Sequence, residues 1–581
     1  MVTTGHQDRN HARSELKPIH ALDTETDRHG NIRIIADSDG RFLDKITPES
    51  LLKWLFSNKY QGTWNFFYNI TFDSEVILKT LPKHILDNYK KTRLLEFKFD
   101  GYKIQYLPNK KLAIRKGHHS TVFFDIAQYY HESLANAYQN NIGKLPDEYL
   151  EMKEKRKSFS DRYFKRNKKL VRNYCIQDCI HTKLLAQHWI KLFNSAFSFY
   201  PSRWISSGYL AEKVLINQGI YIPKFLEIPY EVSEMASNAY FGGRFEILRR
   251  GFIGTAYLYD INSAYPFAIS KIPNLLNGRW FKSKKIDDKS LLGFFKVKVD
   301  VPHDKFVPPF PFRANNMVCF PSGKFVTFCT LEELRAVEDS SCYTILDSVQ
   351  YYTKKPYYPY KQFIENLYNK RLELKQDKNP LQLPIKIILN SIYGKTGEVV
   401  RGRIGNLFNP VIFSFITGHS RAKLYRFVQE NNLESDVVAF ATDSICTTKK
   451  IPLNSADLGK FSLEKSADDV FYLQNGFYRF NGVWKQRGFG SLGSKEIEHL
   501  ETFERDGKLI RKFKVLRSKR LRTSILQNTH DEVGKFSLIE REMNLNADRK
   551  RLWIDRLESV DNTQSNISIP LCLDIIPKMN L

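Results

Sequence analysis

Short apolar runs separated by polar segments dominate the first third of the chain. Four of these runs, residues 19–26, 31–37, 62–70 and 120–127, have the length and the β-branched or aromatic content of strands, whereas the run from Arg166 to Phe193 has helical periodicity. Alternating strands and helices are typical of an α/β domain. The pattern therefore predicts an α/β domain that ends near residue 190.

A second and larger α/β region is predicted from about residue 200 onward. It includes a proline-rich stretch, residues 301–325, which we expect to be irregular or β-rich, and residues 361–395, which predict two helices joined by a proline-containing loop. Beyond residue 470 the chain is basic and rich in strand-forming residues. The lysine-rich segment 145–170 predicts an exposed helical bridge.

The charge of the chain narrows the class of its partner. Its 581 residues include 89 Lys and Arg against 63 Asp and Glu, a formal net charge of +26, together with 30 Tyr and 42 Phe. Cations interleaved with aromatic rings suit a polyanion whose bases can stack, so we expect nucleic acid. A chain of this length exceeds one compact core and predicts two or more domains.

The sequence does not indicate a membrane protein or a secreted protein. We find no apolar run long enough to span a bilayer, and the first 17 residues do not resemble a secretory signal. The seven cysteines have neither zinc-finger nor disulfide-framework spacing, and Cys175 and Cys179 are expected simply to pack. We expect a monomer in the cytoplasm, with no membrane contact.

Asp260 is the first candidate for chemistry. It ends an apolar strand-like run and precedes Tyr265 and Pro266, so it could cap a following helix or bind a metal ion. The metal-binding interpretation requires a second carboxylate. Asp443 supplies one, because it lies at a tight turn between two β-type runs and so at the tip of a predicted hairpin.

A helix predicted between these two acids has a polar face. Residues 386–395 place Lys386, Asn390 and Tyr393 or Gly394 at helical spacing. This face offers a cation for a triphosphate and a flat surface for a base pair.

A second group of acids lies in the first domain. Asp23 and Glu25 project from the same side of a predicted strand, Asp73 follows in a turn, and Asp178 lies one helical turn after Tyr174. Carboxylates from a strand, a turn and a helix could close a two-metal hydrolytic site, with Tyr174 orienting the attacking water.

The segments DINSAYP, KIILNSIYG and ATDS resemble motifs A, B and C of family B DNA polymerases in type and order. The resemblance implies that Asp260 and Asp443 bind two Mg²⁺ or Mn²⁺ ions and that Tyr265 excludes ribonucleotides. It further implies that the incoming deoxynucleoside triphosphate contacts residues of the two helices and their surroundings, namely Lys386, Asn390, Tyr393, Lys370 and Arg371. Ala441 replaces the first acid of motif C.

The first-domain acids resemble the Exo I, II and III motifs of the 3′–5′ exonuclease domain that precedes these polymerases. The resemblance makes Asp23, Glu25, Asp73 and Asp178 the ligands of a second pair of metal ions, with Tyr174 beside them. Asn69 and Phe72 of the second motif would contact the DNA strand. Lys157 or a neighbouring lysine would be the accessory catalytic lysine of the exonuclease site.

Three further segments resemble DNA-binding motifs of the family. NAYFGGRFE resembles the Y-x-G-G template motif, which implies DNA contacts for Tyr240, Gly242, Gly243 and Arg244. TGHSRAK resembles the T-x-x-[AG]-R primer-strand element, which implies contacts for Thr417 and Arg421. WKQRGFG resembles the lysine motif of the thumb, with Lys485 or Arg487 near the primer terminus.

The resemblance implies an α/β multidomain fold, an RNase H-like exonuclease domain followed by a right-hand polymerase. The expected parts, in chain order, are the exonuclease domain (1–195), a linker with the first part of the palm (196–300), an insertion resembling the first terminal-protein region (301–360), the fingers (361–400), the second part of the palm (401–470) and the thumb (471–581). The compact size and the insertion are similar to the protein-primed group of viruses, linear plasmids and mobile elements.

That group starts synthesis from a hydroxyl of a separate terminal protein. The expected partners are therefore template and primer DNA, deoxynucleotides, a terminal protein and a single-strand-binding protein, in the cytoplasm of a host cell. Protein-primed relatives also carry a β-hairpin insertion after motif B, but residues 395–416 leave room for only a short hairpin that turns near Arg401 to Gly405.

Three alternatives remain open on the sequence. The chain could be a related polymerase that uses a nucleic-acid primer or no primer. It could be a nucleic-acid-binding protein with an impaired polymerase site, for which Ala441 is the best support. It could also be a nuclease alone, which would leave motif B unexplained.

Overall fold

The computed structural model describes residues 15–155, 160–400, 402–453, 455–487, 502–506, 508–545, 547–554 and 565–574. Lys157 and Arg401 lie outside these ranges. The chain divides into two compact units, the first formed by Met1–Gln218, Arg371–Ile388 and Leu516–Ile539 and the second by Gly219–Lys370, Leu389–Val515 and Glu540–Leu581. None of the described helices combines the length and the apolar character needed to cross a bilayer.

The first unit begins with a mixed sheet flanked by helices. Its strands are β1 (Ile19–Thr26), β2 (Ile32–Asp37), β3 (Phe42–Leu43), β4 (Trp64–Phe67), β5 (Glu96–Phe99), β6 (Tyr102–Leu107), β7 (Lys111–Lys116) and β8 (His119–Asp125). Its helices are α1 (Pro48–Leu55), α2 (Ile70–Lys79), α3 (Lys83–Leu86), α4 (Asn88–Thr92), α5 (Leu134–Asn141), α6 (Asp147–Lys155), α7 (Asp161–Arg166), α8 (Lys168–Phe197) and α9 (Ser207–Asn217). The described strands form one sheet in the order β3-β2-β1-β4-β8-β7-β6-β5.

The central strands of this sheet are the apolar runs expected from the sequence. β4 is buried along its whole length, and β1 pairs in parallel with β4 and antiparallel to β2. The long helix α8 covers β1 and buries Cys175 and Cys179, which are free thiols as expected. The expected exposed bridge is wrong in part: α6 and α7 bury Tyr149, Met152 and Phe164 against α8.

The second unit is built on a larger sheet. Its elements up to residue 352 are α10 (Tyr230–Asn238), β9 (Arg244–Ile247), β10 (Arg249–Ile261), α11 (Ala264–Ser270), β11 (Arg279–Lys282), β12 (Leu292–Val301), β13 (Phe312–Ala314), β14 (Met317–Cys319), β15 (Gly323–Thr330), α12 (Leu331–Arg335) and β16 (Tyr343–Tyr352). Strands β11, β16, β12 and β15 form a sheet of their own, and β13 pairs with β14, so the proline-rich stretch is β-rich.

Two helices follow, as the periodicity of residues 361–395 predicts. They are α13 (Lys361–Gln376) and α14 (Gln382–Thr396). The short hairpin after α14 is also present, as β17 (Val399–Val400) and β18 (Arg403–Ile404). Helix α15 (Pro410–Glu430) then begins at an Asn409 cap and buries most of its length.

The remaining strands of the large sheet are β19 (Val437–Thr442), β20 (Ser444–Thr447), β21 (Phe461–Gln474), β22 (Phe477–Phe480) and β23 (Val483–Gln486). The strand order is β23-β22-β21-β10-β20-β19-β9. Strand β10 is thus central, and the apolar residues of β10, β19 and β20 pack with α15 into a buried core.

The final part of the chain contributes segments to both units. β24 (Thr502–Arg505), β25 (Lys508–Ser518) and β26 (Phe536–Asn544) form a small sheet in that order, in which β24 and β25 are antiparallel, and helix α16 (Leu521–Leu526) follows β25 in the chain and precedes β26. α16 belongs to the first unit, where Leu521 and Ile525 join the apolar core. The last strands, β27 (Arg551–Trp553) and β28 (Asn566–Pro570), pair with each other, and β28 pairs with β10.

Candidate functional site

Asp260 and Asp443 lie side by side in the second unit. β10 and β20 are antiparallel and pair Asp260 with Ser444, the residue after Asp443, while the Ile261 amide donates to the Asp443 carbonyl at 3.0 Å. Asp443 lies in the tight turn between β19 and β20, which requires a left-handed Thr442 (φ 71°). Asp260 is within β10, and Ser263 is the cap position of α11, so the helix-capping alternative for Asp260 is wrong.

Burial and neighbouring charges raise the pKa of both carboxylates. Burial, together with the charges of Asp443 and Glu464, raises the pKa of Asp260 to about 7. Burial also raises the pKa of Asp443, as does Glu464, whereas Arg487 opposes the increase. Glu464 on β21 is a third acid at this site that the sequence analysis missed. Crowded carboxylates with raised pKa values fit a site for divalent cations, whose oxygen ligands are carboxylates.

Three tyrosines form an aromatic platform in the same unit. The rings of Tyr265 and Tyr393 are 4.5 Å apart between centroids, and the hydroxyls of Tyr240 and Tyr393 are 3.0 Å apart. Tyr265 lies on α11, five residues after Asp260 of β10. Burial and the charge of Asp443 raise the pKa of Tyr265. Residues expected from three separate motifs therefore meet in one place.

The polar face of α14 is present as expected. Lys386, Asn390 and Gly394 are exposed and Tyr393 is half-buried, whereas Ile385, Ile388, Leu389 and Ile392 are buried on the opposite side. A Cβ atom at Gly394 would meet no atom within 4 Å, so this part of the helix is open. On α13, Lys370 is exposed and Arg371 is partly buried.

The two glycines of YFGG form a turn beside the Asp443 hairpin. Gly242 has a φ of 76°, which favours glycine, and a Cβ atom at Gly243 would lie 2.8 Å from the Thr442 methyl group. Both glycines are therefore needed for this close approach. The Arg313 guanidinium donates to the Tyr240 carbonyl at 2.7 Å and holds the start of the turn.

The structure corrects the expected DNA contact of Arg244. Its side chain is 1% exposed, donates to Glu246 and to the Pro308 carbonyl at 3.0 Å each, and lies over the rings of Phe320 and Phe440. A guanidinium enclosed in this way stabilises the fold and leaves no surface for a phosphate.

The structure also corrects the expected contacts of Thr417 and Arg421. Thr417 is fully buried and donates to carbonyls of its own helix. Arg421 is 2% exposed and forms a two-pronged ion pair with Glu333 at 2.7 and 3.0 Å. Its remaining nitrogen donates to the Gly242 carbonyl. Arg421 thus positions the glycine turn from behind and does not offer its charge to DNA.

Of the two thumb candidates, Arg487 lies closer to the acids. It lowers the pKa of Asp443 and stacks over Phe245 at 4.9 Å. Lys485 is exposed on β23 and acts on the pKa of Lys465 instead.

The acids of the first unit form a second, tighter cluster. Carboxylate oxygens of Asp23, Glu25 and Asp178 lie within 4.8 Å of one another, the first two from β1 and the third from α8. Burial raises the pKa of Asp23 well above its ordinary value, and Asp73, Asp178 and Glu25 each add to it. Three converging carboxylates are the donor set that Mg²⁺ or Mn²⁺ prefers.

Asp73, at the start of α2, acts on the charge of this cluster, because it raises the pKa of Asp23. Its carboxylate accepts hydrogen bonds from the Thr24 amide at 3.1 Å and the Thr24 hydroxyl at 2.6 Å, which fixes it beside β1. Burial raises the pKa of Asp73 to about 7. The backbone N–H of Asn69 donates to the Asp125 carboxylate at 3.0 Å. Asn69 is exposed and Phe72 is half-buried, and both lie close to Asp73 in the chain.

Tyr174 is present beside Asp178, but another tyrosine makes the closer contact. The Tyr149 hydroxyl donates to the Asp178 carboxylate, and the Tyr149 and Tyr174 rings stack with centroids 5.4 Å apart. Both tyrosines are buried. Tyr149 could not be predicted as a site residue, because it lies in the charged segment that the sequence predicts to be an exposed bridge.

Metal binding should compete with protons at these acids. The folded pKa of Asp260 and of Asp73 is about 7, above the ordinary value of about 4, so the folded state binds more protons between pH 4 and 7. Without metal, stability should therefore fall as the pH rises through this window. We expect added Mg²⁺ to raise the melting temperature at least about twice as much at pH 8 as at pH 6.

Differential scanning fluorimetry at both pH values checks this expectation. The Asp260→Asn/Asp443→Asn variant should lose part of the Mg²⁺ effect, whereas Asp300→Asn, an exposed acid on β12, should retain it. A larger Mg²⁺ shift at pH 6 would contradict the assignment of these acids as metal ligands.

Known sequences resemble this chain over much of its length. The family described as "DNA polymerase type B, organellar and viral" matches residues 57–401, more than half of the chain. A DNA polymerase of Acidianus bottle-shaped virus (isolate Italy/Pozzuoli) is 30% identical over 430 residues, covering 67% of this chain and 62% of the relative. A probable DNA polymerase of Ascobolus immersus is 25% identical over 433 residues, covering 66% of this chain and 35% of the relative. The chain thus spans less than two thirds of the length of these relatives.

Among solved structures, Phi29 DNA polymerase complexed with primer-template DNA and incoming nucleotide substrates aligns with a TM-score of 0.63 and 14% identity, covering 91% of this chain and 100% of that chain. This likeness concerns the fold. It confirms the predicted α/β multidomain architecture. The family match and the shared fold lead to one conclusion: this chain belongs to the type B DNA polymerases of the organellar and viral kind.

Proposed function

We propose that this chain synthesises DNA on a template by transferring nucleotides from deoxynucleoside triphosphates to a primer 3′ end. The observation that carries the proposal is the pair Asp260 and Asp443, which β10 and β20 hold side by side next to the Tyr265–Tyr393 platform. Two divalent cations bound there would activate the attacking hydroxyl and stabilise the leaving oxygen.

The residues that the family resemblance assigns to the nucleotide and to DNA would take the positioning roles. Exposed Lys386, together with Lys370 and Arg371 of the neighbouring helix, would supply positive charge to the triphosphate, and Asn390 and Tyr393 would line the pocket for the base pair. Tyr240 and the glycine turn would follow the template strand, and Arg487 or Lys485 would lie near the primer terminus.

We also propose that the first unit removes mismatched 3′ ends. Asp23, Glu25, Asp73 and Asp178 would hold two cations, and the Tyr149–Tyr174 pair would orient Asp178 and the attacking water. A hydrolytic site on the chain that synthesises DNA gives proofreading.

Synthesis would start from a protein hydroxyl, as in the protein-primed group that the sequence resembles. Support comes from the β-rich segment between motifs A and B and from the similar viral relative. The proposed setting is replication of a viral or mobile-element genome in a host cell, with a terminal protein and a single-strand-binding protein as partners. A nucleic-acid primer, or none, is the alternative.

A primer-extension assay with Mg²⁺ and deoxynucleotides tests the proposal. The wild-type protein should extend a labelled primer to the end of the template, and each omitted deoxynucleotide should stop extension at the first template position that requires it. Binding of primer-template without any extension would favour the other candidate, a DNA-binding protein impaired by Ala441, which pairs with Ser444 at the base of the Asp443 turn.

Tyr265→Val should admit ribonucleotides. The Tyr265 ring packs against Tyr393, and a ring at this position would collide with a 2′-hydroxyl. We expect the ratio of kcat/KM for a deoxynucleotide to that for the matching ribonucleotide to fall at least about tenfold. Tyr265→Phe, which retains the ring, should discriminate as the wild type does. Equal discrimination by Tyr265→Val would remove the residue from this role.

Strand displacement without helper proteins should be weak. The hairpin after motif B has only two residues in each strand, Val399–Val400 and Arg403–Ile404, so it can contact little DNA backbone. Fewer phosphate contacts resist dissociation less strongly. On a singly primed circular template we expect products no longer than about one circle, and longer products only when a single-strand-binding protein is added. Products many circles long without that protein would contradict this expectation.

A further inference from the structure

Three side chains with metal-binding atoms converge at the edge of the β-rich part of the second unit. His303 follows β12 in the chain, whereas Cys572 and Asp574 follow β28. One ligand atom from each of the three lies within 4.8 Å of the other two. His303 Nδ1 lies 3.3 Å from the Cys572 sulfur, and Nε2 of the same ring lies 3.5 Å from an Asp574 carboxylate oxygen. Segments 269 positions apart in the sequence therefore meet here.

Backbone hydrogen bonds fix the position of the two C-terminal donors. The Ser322 amide donates to the Leu571 carbonyl at 2.9 Å, and the Leu573 amide donates to the Ser322 carbonyl at 3.1 Å. The Lys324 amide donates to one oxygen of the Asp574 carboxylate at 3.0 Å. The Asp574 side chain is thus held in place by a contact other than those with His303, and its second oxygen faces the histidine.

Packing around these residues supports the same arrangement. A Cβ atom at Gly323 (φ 87°) would lie 2.9 Å from the Asp574 oxygen that faces His303, so the glycine makes room for the carboxylate. Leu573 packs against the apolar core that includes residues of β12 and β15. The segment that carries Cys572 and Asp574 is therefore attached on both sides of the donor atoms.

The three donors differ in type and are accessible. Six of the seven cysteines are buried, whereas Cys572 is partly exposed. The side chain of His303 is 66% exposed and that of Asp574 is 37% exposed. Thiolate sulfur, imidazole nitrogen and carboxylate oxygen are the ligands of zinc in proteins. Exposure leaves a fourth position for water.

The spacing of the donors suits a tetrahedral ion. With zinc–ligand bonds of about 2.0–2.3 Å, the ligand atoms of a tetrahedral site lie about 3.3–3.8 Å apart. The nitrogen and sulfur, 3.3 Å apart, are already at this spacing. Rotation of the exposed His303 ring brings the bound nitrogen and the Asp574 oxygen to the same spacing.

We propose that His303, Cys572 and Asp574 bind a zinc ion, with water as the fourth ligand. The ion joins the residues that follow β28 to the residues that follow β12. Magnesium prefers oxygen ligands, whereas a thiolate ligand selects zinc, so this site differs in metal from the two carboxylate sites. The proposal is independent of the synthesis and trimming proposed above.

Cobalt substitution in the full chain tests the proposal, because a thiolate bound to Co²⁺ produces a charge-transfer band. With excess Mg²⁺ present to fill the carboxylate sites, one equivalent of Co²⁺ should produce the band and Zn²⁺ should remove it. Cys572→Ser should abolish the band. His303→Asn and Asp574→Asn should each weaken Zn²⁺ binding at least about tenfold in competition with a chromophoric chelator. His118→Asn, which removes an exposed histidine of the first unit, is the control and should bind Zn²⁺ as the wild type does.

Hydrogen exchange provides a readout of the connection itself. Zn²⁺ should slow exchange of the β28 amides at least about tenfold in the wild type, because an ion that binds the folded end of the chain opposes its local opening. Cys572→Ser should show no such protection.

Several results would overturn the proposal. These are absence of the charge-transfer band in the wild type, persistence of the band in Cys572→Ser, and wild-type Zn²⁺ affinity in His303→Asn. Rapid alkylation of Cys572 that depends on His303, without the band, would show that the three residues form an activated thiol and not a metal site. Extension and trimming would remain as proposed in each case.

Discussion

Replacing Asp260 or Asp443 with alanine is expected to lower kcat for primer extension at least about a thousandfold and to leave 3′ trimming intact. Each substitution removes one of two carboxylates that the pairing of β10 with β20 holds together. Loss of a metal ligand removes several kcal/mol of transition-state stabilisation, which corresponds to this factor. Quantifying extended and shortened products of a labelled primer measures both activities in one preparation.

The result must be separated from loss of folding. Because burial raises the pKa of both acids, their removal relieves a buried charge, and the melting temperature without Mg²⁺ should not fall. Asp300→Ala, an exposed acid on β12, is the control for a charge change alone and should extend normally. Near wild-type extension by Asp260→Ala or by Asp443→Ala would refute the assignment of this site.

Replacing Asp23 and Glu25 together with alanine is expected to have the opposite effect. Trimming of a mismatched 3′ end should fall at least about a thousandfold, since two of the three carboxylates that lie within 4.8 Å of one another are lost. Extension of a matched primer should continue at the wild-type rate. The measurement is shortening of a mismatched primer in Mg²⁺ without deoxynucleotides.

A control distinguishes metal loss from a general charge effect. Glu151→Ala removes an acid of α6 that is 67% exposed and forms a surface ion pair with Lys155, so this variant should trim normally. If the double variant lost extension as well as trimming, the two activities would not belong to separable sites.

The sequence was sufficient where a local pattern determines a position. Strand-like runs on both sides of Asp443 predicted a hairpin with the acid at its tip, and β19 and β20 have this form. Helical spacing predicted the exposed face of α14, which carries Lys386 and Asn390. In both cases the side chain's surroundings depend on residues close to it in the chain.

The sequence was insufficient where a distant residue decides the role. Arg421 looks like any cation in the motif, yet Glu333, 88 positions away, encloses it in an ion pair that supports the glycine turn. Arg244 is likewise buried, within a network that includes Glu246 and Arg551. The sequence does not distinguish a buried arginine from an exposed one, because tertiary packing decides which of the two it is.

Residues without a local signal were missed for the same reason. Glu464 is an unremarkable acid in a charged strand, but the pairing of β21 with β10 brings its charge to Asp260 and Asp443. Cys572 is 269 positions from His303, and the pairing of Cys572 with Ser322 helps to bring the two together. Such contacts follow from long-range pairing, which periodicity along the chain does not encode.

We propose that one chain carries two separate metal-dependent sites, one for synthesis and one for trimming. The most direct test is a time course on one primer-template with a mismatched 3′ end, with Mg²⁺ and all four deoxynucleotides, for the wild type, Asp260→Ala and Asp23→Ala/Glu25→Ala. The wild type should shorten the primer and then extend it to full length, Asp260→Ala should only shorten it, and the double variant should leave the mismatched end in place. If Asp260→Ala extended the primer, or if the double variant still removed the mismatch, the two-site account would be contradicted.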